Sequence, residues 1–205
     1  MPMNTRDVSA VENETAVHDD DIFPCWEAIG FLLRDFFMSP RRETLNQLLT
    51  LTETYRGETQ HSALPLSKTD WQENEYEFNR LFIGPQALPA PPYASVYLEA
   101  EPQLMGKSTG EIRQLLHGLG LAVSLENRVP DDHVSYEIEL SLLLAKLAPQ
   151  QPVYAETLAW LVGEHMRHWL PLFTTRVEQH ARTPSLSAVS RILSLWFVDA
   201  QRRIA

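Results

Sequence analysis

Apolar residues recur at spacings of three and four along most of this chain, which is the period of helices with one buried face. The first such run begins after Asp21, which can cap a helix, and it stops at Ser39 and Pro40, where proline removes a backbone donor. Its predicted buried face carries Phe23, Trp26, Ile29, Gly30, Leu33, Phe36 and Phe37.

Later segments repeat this pattern, and none shows the sustained two-residue alternation of a strand. The sequence therefore predicts an all-α fold, a single-domain multi-helix bundle over residues 22–205, with Trp26, Trp160, Trp169 and Trp196 as core anchors. The later helices are predicted at about 41–55, from Ser67 or Thr69 to Gly84, at about 95–104, from a capping box at Ser108–Glu111 to Gly118, from Asp131 or Asp132 to Leu147, and at about 152–169, 171–181 and 185–203.

Charge and composition narrow the function classes. Residues 1–21 hold six acidic residues against one arginine, and this polar tail is predicted to be disordered. The formal net charge of -10 argues against nucleic acid as a partner, because nucleic-acid-binding proteins present a basic face. The chain has no apolar run of membrane-spanning length, no secretory signal, and one cysteine, Cys25, which permits no intrachain disulfide. These features indicate a cytoplasmic protein that is not integral to a membrane.

A proline-rich loop follows Gly84 and interrupts the helices. Pro85, Pro89, Pro91 and Pro92 make it stiff, and aromatic residues flank it on both sides. Such a loop between two helices is a candidate groove for an extended peptide. Termination of one helix and shaping of the turn explain the same prolines, and the local pattern alone favours that interpretation.

A second cluster comprises Pro130, Asp131, Asp132 and His133. One aspartate can cap the following helix, and the other can lie in its first turn, where the helix dipole favours negative charge. Together with Glu137, one turn further on, His133 would instead place an imidazole beside carboxylates, which suits the binding of a guanidinium or ammonium group. The local pattern alone favours capping.

The motifs expected of an enzyme are missing from the sequence. It contains no phosphate-binding loop, no dinucleotide-binding glycine pattern and no nucleophile elbow. His165 and His168 lack the spacing of a zinc protease and are predicted to be solvated. The enzymatic alternative that the sequence leaves open is an all-α metal-dependent hydrolase that uses Asp131, Asp132 and His133.

Three segments, in this order and spacing, resemble the TorD/DmsD family of redox-enzyme maturation chaperones, and the DmsD branch above all. They are EYEFNRLFIGPQALPAPPYASVYLE, LMGKST and VPDDHVSYEIE. The resemblance is strong over about 75–147. The combination of LF-x-GP-x-x-LP-x-PP with a downstream Asp-His helix start is fairly specific.

The resemblance implies a cytoplasmic all-α chaperone without enzymatic turnover. Such proteins bind the twin-arginine signal peptide and the apoprotein of a molybdenum-cofactor oxidoreductase, typically of the dimethyl-sulfoxide-reductase (DMSO reductase) type, and delay Tat export until the cofactor is inserted. The Tat translocase and the molybdenum-cofactor machinery are further partners that it suggests. It implies no bound cofactor, although guanine nucleotide is a regulator to consider, and it suggests a monomer that can form a domain-swapped dimer.

The resemblance also supplies a predicted peptide-binding site. Asp131 and Glu137 are expected to help Asp132 bind a guanidinium. Tyr97 is expected to extend the apolar wall that Phe78, Leu81, Phe82 and Tyr93 form against the apolar stretch of the peptide. Protonation of His133 is expected to weaken peptide binding. The matching family positions are Phe78, Leu81, Phe82, Pro92, Tyr93, Asp132 and His133.

Overall fold

The structure is a computed structural model that describes residues 19–56, 68–101, 104–121 and 129–204. Within these ranges the regular structure is helical and no strand is present, which confirms the predicted all-α fold. Residues 1–18 of the predicted tail lie outside the described residues, whereas 19–21 begin the first helix. The helices are α1 (Asp19–Met38), α2 (Arg42–Arg56), α3 (Lys68–Phe78), α4 (Ser95–Leu98), α5 (Lys107–Gly118), α6 (Val134–Leu147), α7 (Pro152–Trp160), α8 (Arg167–His180) and α9 (Pro184–Ile204).

Helix α1 packs against α6, α2 and α9. Two tryptophans fasten α1 to α9. The rings of Trp26 and Trp196 stack with centroids 5.1 Å apart, and each indole nitrogen donates to the carbonyl oxygen of the other residue at 3.1 Å. Among the described helices, none has the length and apolar character needed to cross a bilayer.

Three of the four tryptophans predicted as core anchors are confirmed. Trp26, Trp169 and Trp196 are each at most 2% exposed. The prediction for Trp160 is wrong, because this residue lies on the outer side of the last turn of α7 and is 37% exposed. Its ring packs instead against the ring of His165, with centroids 5.5 Å apart.

Proline 171 does not separate two helices as the sequence analysis expected. Helix α7, the π-helical segment Leu161–Met166 and α8 follow one another without a break, and Pro171 lies inside α8. A proline inside a helix costs one backbone hydrogen bond, and π segments and prolines are both recognised causes of helix bending. The hydroxyl groups of Thr174 and Thr175 donate to the carbonyl oxygen of Pro171 at 3.1 and 2.8 Å, so that this carbonyl is satisfied.

The capping box predicted at Ser108–Glu111 is also wrong in detail. Helix α5 begins at Lys107 with Gly106 at the N-cap. The Ser108 amide and hydroxyl groups both donate to Oε1 of Glu99 at 3.0 Å, so a carboxylate from the preceding loop satisfies the helix start. These hydrogen bonds lower the pKa of Glu99.

A buried carboxylate joins α3 to the turn between α8 and α9. Glu77 accepts hydrogen bonds from the guanidinium of Arg80 at 2.8 and 2.9 Å and from the backbone amide of Arg182 at 2.6 Å. Arg80 also donates to the carbonyl oxygen of His180 at 2.6 Å. Burial opposes ionisation of Glu77, but these partners outweigh it and lower its pKa, so that it holds the turn as a carboxylate.

The contact of α1 with α6 and α9 depends on the absence of a side chain at Gly30. A Cβ at this position would lie 2.8 Å from the side chain of Leu142 and 2.8 Å from Nε1 of Trp196. Trp196 cannot easily move aside, because its ring is stacked on Trp26 and its nitrogen is hydrogen-bonded.

We expect Gly30→Ala to lower the free energy of unfolding by about 1–3 kcal/mol, because the added methyl group overpacks a closed contact. Gly110→Ala is the matched control, since Gly110 lies inside α5 and a Cβ there meets nothing within 4 Å. This control should gain roughly 0.5–1 kcal/mol from helix propensity. Urea unfolding followed by circular dichroism measures both changes, and equal effects would contradict the tight contact at Gly30.

Candidate functional site

The proline-rich loop leaves the end of α3 through a π-helical segment, Asn79–Ile83. Gly84 then turns the chain with a φ of 100°, in the left-handed region that favours glycine. The amide of Ala90 donates to the carbonyl oxygen of Leu81 at 3.4 Å, which holds the middle of the loop against the π-helical segment.

The end of the loop pairs with the start of α6. The amide of Ala94 donates to the carbonyl oxygen of Asp132 at 3.1 Å, and the amide of Val134 donates to that of Pro92 at 2.9 Å. Between these bonds, the rings of Tyr93 and His133 meet edge to face with centroids 5.2 Å apart. The structure thus brings together two segments that the sequence analysis could connect only through the family resemblance.

Asp132 caps a helix other than the expected one. It is fully buried, and its Oδ2 accepts a hydrogen bond of 2.7 Å from the amide of Ser95, in the first turn of α4. Among the described residues its Oδ1 has no hydrogen-bond partner. Helix α6 is capped instead by His133, whose Nδ1 accepts a hydrogen bond from the amide of Ser135 at 3.2 Å. The prediction that Asp131 or Asp132 caps α6 is therefore wrong, because both carboxylates turn towards other elements.

The environment of His133 argues against the expected effect of its protonation. Burial lowers the pKa of His133 to about 4. The imidazole is therefore neutral in mildly acidic solution, where its protonation was expected to weaken binding. Its neutral Nδ1 acts as a hydrogen-bond acceptor, which suits a structural cap.

Asp131 already binds a guanidinium. Its Oδ2 lies 2.5 Å from Nε of Arg113, a residue of α5 that the sequence analysis did not single out. The side chain of Asp131 is 12% exposed and that of Arg113 is 49% exposed, so this ion pair borders solvent. A carboxylate of the predicted site thus does bind a guanidinium, but that guanidinium belongs to Arg113 of the same chain.

Glu137 was expected to help Asp132 bind a guanidinium, but its side chain faces the interior of the bundle. It is completely buried, where it lies 2.7 Å from Nε2 of His165 and accepts a hydrogen bond of 2.9 Å from Nε1 of Trp169. Burial raises the pKa of Glu137, and these two partners only partly offset that effect. Burial alone would lower the pKa of His165, but the adjacent Glu137 reverses this and raises it.

The same arrangement corrects a second prediction. His165 is 4% exposed rather than solvated, because it is turned towards Glu137 inside the bundle. His168 is exposed as expected. One pattern in the sequence did indicate burial of His165, because it follows the buried residues Leu161 and Val162 by four and three positions and so shares their helix face.

The predicted apolar wall is part of the core. Phe78 is 2% exposed, Leu81 is fully buried and Phe82 is 3% exposed. Their rings pack in a cluster in which Phe78 meets Phe36 at 5.3 Å and Phe82 meets Phe173 at 5.9 Å between centroids. None of these three side chains is exposed, and their contact with a peptide stays a prediction.

Tyr93 and Tyr97 are the partly exposed aromatic residues of the predicted site. The ring of Tyr97 packs on Trp169, with centroids 5.8 Å apart, and the guanidinium of Arg176 lies over it at 4.8 Å. Desolvation raises the pKa of Tyr93, and the nearby Asp132 carboxylate adds to this effect, so that its hydroxyl group stays protonated.

The proline-rich loop lines a pocket of ≈ 340 Å³. Arg80 and Arg182 contribute to its lining, beside Tyr76, Pro85 and Pro89. Of these arginines, Arg80 is paired with Glu77. The acidic residues of the predicted site lie at the other end of the loop, at its junction with α6.

Comparison with known proteins identifies the family. The family model described as nitrate reductase delta subunit matches residues 37–175. The chain belongs to this family. The resemblance to TorD and DmsD noted in the sequence is thereby confirmed.

Relatives within the nitrate reductase delta subunit family are named as chaperones. The Tat proofreading chaperone DmsD of Salmonella typhi is 32% identical over 127 residues, which cover 62% of this chain and 60% of that protein. The chaperone protein TorD of Vibrio cholerae is 30% identical over 132 residues, which cover 62% of this chain and 59% of that protein. The chain thus matches about three fifths of the length of each of these two relatives.

The fold is also that of a solved structure described as a redox enzyme maturation protein from Archaeoglobus fulgidus. The TM-score is 0.55 at 22% identity, and the match covers 85% of this chain and 93% of the other. This similarity shows the fold alone.

The alternative of a metal-dependent hydrolase gains no support from the geometry. Asp131 pairs with Arg113, Asp132 caps α4 and His133 caps α6. Within the described ranges, no group of three or more His, Cys, Asp or Glu side chains is arranged to hold a metal ion. The matched relatives are named as chaperones, as the sequence analysis expected of a protein without enzymatic turnover.

The buried His133 should make stability depend on pH. Its pKa is about 4 in the folded protein against 6.5 ordinarily, so the unfolded chain binds more protons and stability falls as the pH drops through this window. His133→Asn keeps a capping acceptor but does not titrate. Lowering the pH from 7 to 4 should reduce the unfolding free energy of both proteins. We expect the reduction to be up to about 3 kcal/mol smaller for His133→Asn than for the wild type. Urea unfolding at several pH values measures this, and parallel profiles for the two proteins would contradict it.

Proposed function

We propose that this protein is a cytoplasmic, system-specific chaperone for a molybdenum-cofactor oxidoreductase of the DMSO reductase type. It binds the twin-arginine signal peptide and the apoprotein, and it delays Tat export until the cofactor is inserted. The observation that carries this proposal is the junction of the proline-rich loop with the start of α6, in a chain of a family whose named members include Tat proofreading chaperones. The protein acts by binding, without catalytic turnover.

Arginine recognition is assigned to Asp131. A guanidinium of this chain, that of Arg113, lies 2.5 Å from its carboxylate, at a border with solvent. Arg113 is half exposed, whereas the Asp131 side chain is only 12% exposed, so a guanidinium of the peptide that takes the place of Arg113 must restore the pairing of this nearly buried carboxylate. The planar guanidinium offers several donors to a carboxylate, whereas lysine offers a single ammonium, and this difference favours arginine in the peptide.

Tyr93 supplies the apolar contact of the proposed site, at its pairing with His133. It is partly exposed and rests on His133, so its position is fixed before any peptide arrives. Full burial of an aromatic side chain contributes roughly 1.5–3 kcal/mol, which exceeds the contribution of a surface ion pair. Apolar contacts therefore dominate affinity, and Asp131 selects the arginines.

Asp132, His133 and the Phe78–Phe82 segment act as positioning residues in this proposal. Asp132 and His133 cap α4 and α6, and the loop lies between these two caps. Leu81 holds the loop through its carbonyl oxygen. Their substitution would displace Tyr93 and lower stability together with binding.

The first test compares Tyr93→Ala with Tyr154→Ala, a partly buried tyrosine of α7 that serves as a matched control. We expect Tyr93→Ala to weaken binding of a synthetic twin-arginine peptide about tenfold, and Tyr154→Ala to leave it unchanged. Isothermal titration calorimetry measures both. Failure of the wild type to bind the peptide would exclude the proposed function, and equal affinities of all three proteins would exclude Tyr93.

The second test removes the internal guanidinium. Arg113→Gln frees Asp131 and should strengthen binding of the Arg-Arg peptide up to about fivefold, while Asp131→Asn should abolish the preference for Arg-Arg over Lys-Lys. Arg202→Gln is the matched control, because Arg202 pairs with Asp199 at 3.1 Å on the surface of α9. An Arg113→Gln variant with weaker binding and unchanged stability would show that the peptide does not exchange with Arg113.

A further inference from the structure

An apolar groove lies between α1, α5 and α6, away from the buried phenylalanines of the predicted site. Its volume is ≈ 370 Å³, within the usual range of ligand sites. Phe31 of α1 and Leu121, just after α5, are 38% and 39% exposed along it. The apolar lining also includes Leu116, Tyr136, Leu140 and Leu143.

The groove begins where the candidate site ends. The ring of Tyr136, in its lining, lies 6.2 Å from that of His133, which in turn contacts Tyr93. On α5, Leu116 follows Arg113 by one helical turn. Both helices therefore run from the Arg113–Asp131 ion pair directly into the apolar lining.

The floor of the groove is a stripe along one face of α6. Tyr136, Leu140 and Leu143 are spaced by four and three residues, so they share a face, and His133 precedes them by one turn. The distance along the helix from His133 to Leu143 is about 15 Å, enough for four or five extended residues of a peptide.

Charge at the rim favours a cationic partner near the ion pair. Glu27 and Glu139 line the groove, where Glu139 also lies 3.4 Å from Nη1 of Arg34. Asp131 precedes the start of α6, whereas Lys146 lies near the other end of this helix. A partner with positive charge followed by an apolar stretch matches this order.

We propose that the groove between α1, α5 and α6 binds the apolar stretch that follows the arginine pair of the signal peptide. This inference rests on the proposed function and extends its site. The arginines lie at Asp131, and the peptide then runs along α6 towards Lys146. The groove supplies the open apolar surface that Phe78, Leu81 and Phe82 do not present.

The test uses two synthetic peptides, one with an Arg-Arg pair followed by an apolar stretch and one with the same pair followed by Gly and Ser residues. The double variant Phe31→Ser/Leu121→Ser removes two half-exposed side chains of the lining and should fold normally. Leu172→Ser is the matched control, since Leu172 of α8 is 51% exposed and outside the groove.

We expect the double variant to weaken binding of the apolar peptide about tenfold or more, and to leave its weak binding of the Gly-Ser peptide unchanged. Leu172→Ser should bind both peptides as the wild type does. Equal affinity of the double variant and the wild type for the apolar peptide would overturn the groove assignment and leave the proposed function standing. No binding of either peptide by the wild type would instead overturn the proposed function.

A cross-linking experiment on the wild-type chain avoids any dependence on variant folding. A photoreactive side chain in the apolar stretch should label Glu27–Phe31 of α1 or Tyr136–Lys146 of α6, as read by mass spectrometry. Labelling confined to α8 or α9 would overturn the assignment. So would sedimentation that shows a dimer dissociated by Phe31→Ser/Leu121→Ser with peptide binding unchanged, since the groove would then be an interface between two copies.

Discussion

The buried carboxylate of Asp132 holds together the parts of the molecule on which the candidate site depends. A fully desolvated carboxylate is stable only where donors meet it, and the amide of Ser95 provides one at 2.7 Å. The backbone carbonyl of Asp132 accepts a hydrogen bond from the amide of Ala94, so the loop, α4 and α6 meet at one point. The loop cannot leave α6 without exposing this junction, and its stiffness is therefore a tertiary property as much as a consequence of its prolines.

Helical periodicity was a reliable guide to the fold, because the rows of apolar residues in α1, α6 and α9 do face the core. It was less reliable at irregular positions. Trp160 continues an apolar run yet faces outward, because periodicity shows which residues share a face but not which neighbour covers that face. Pro171 was expected to separate two helices but lies within one. The caps failed for a related reason. Local spacing assigned Asp132 to α6, but its actual partner is Ser95, 37 positions away.

The candidate site was likewise only partly predictable, because its contacts join residues far apart in the sequence. The family resemblance correctly associated Tyr93 with His133, whose contact spans two distant segments. It did not indicate that Glu137 is turned inward to His165 and Trp169, 28 and 32 residues further along the chain. Nor did it indicate that Arg113 forms an ion pair with Asp131. Such pairings depend on how helices are rotated against one another, and a single sequence contains little information about that rotation. A charged residue among apolar neighbours, as Glu137 is in α6, was the available sign of a buried partner.

The reciprocal pairing of Trp26 and Trp196 has a consequence for biosynthesis. These residues are 170 positions apart, so the contact that completes the packing of α1 closes a loop of almost the entire chain. Closing so long a loop is entropically unfavourable until other contacts have brought its ends together. During translation α1 must therefore wait, with its indole uncovered, until α9 has emerged from the ribosome. The synthesis of α9 thus determines when α1 can reach its native environment.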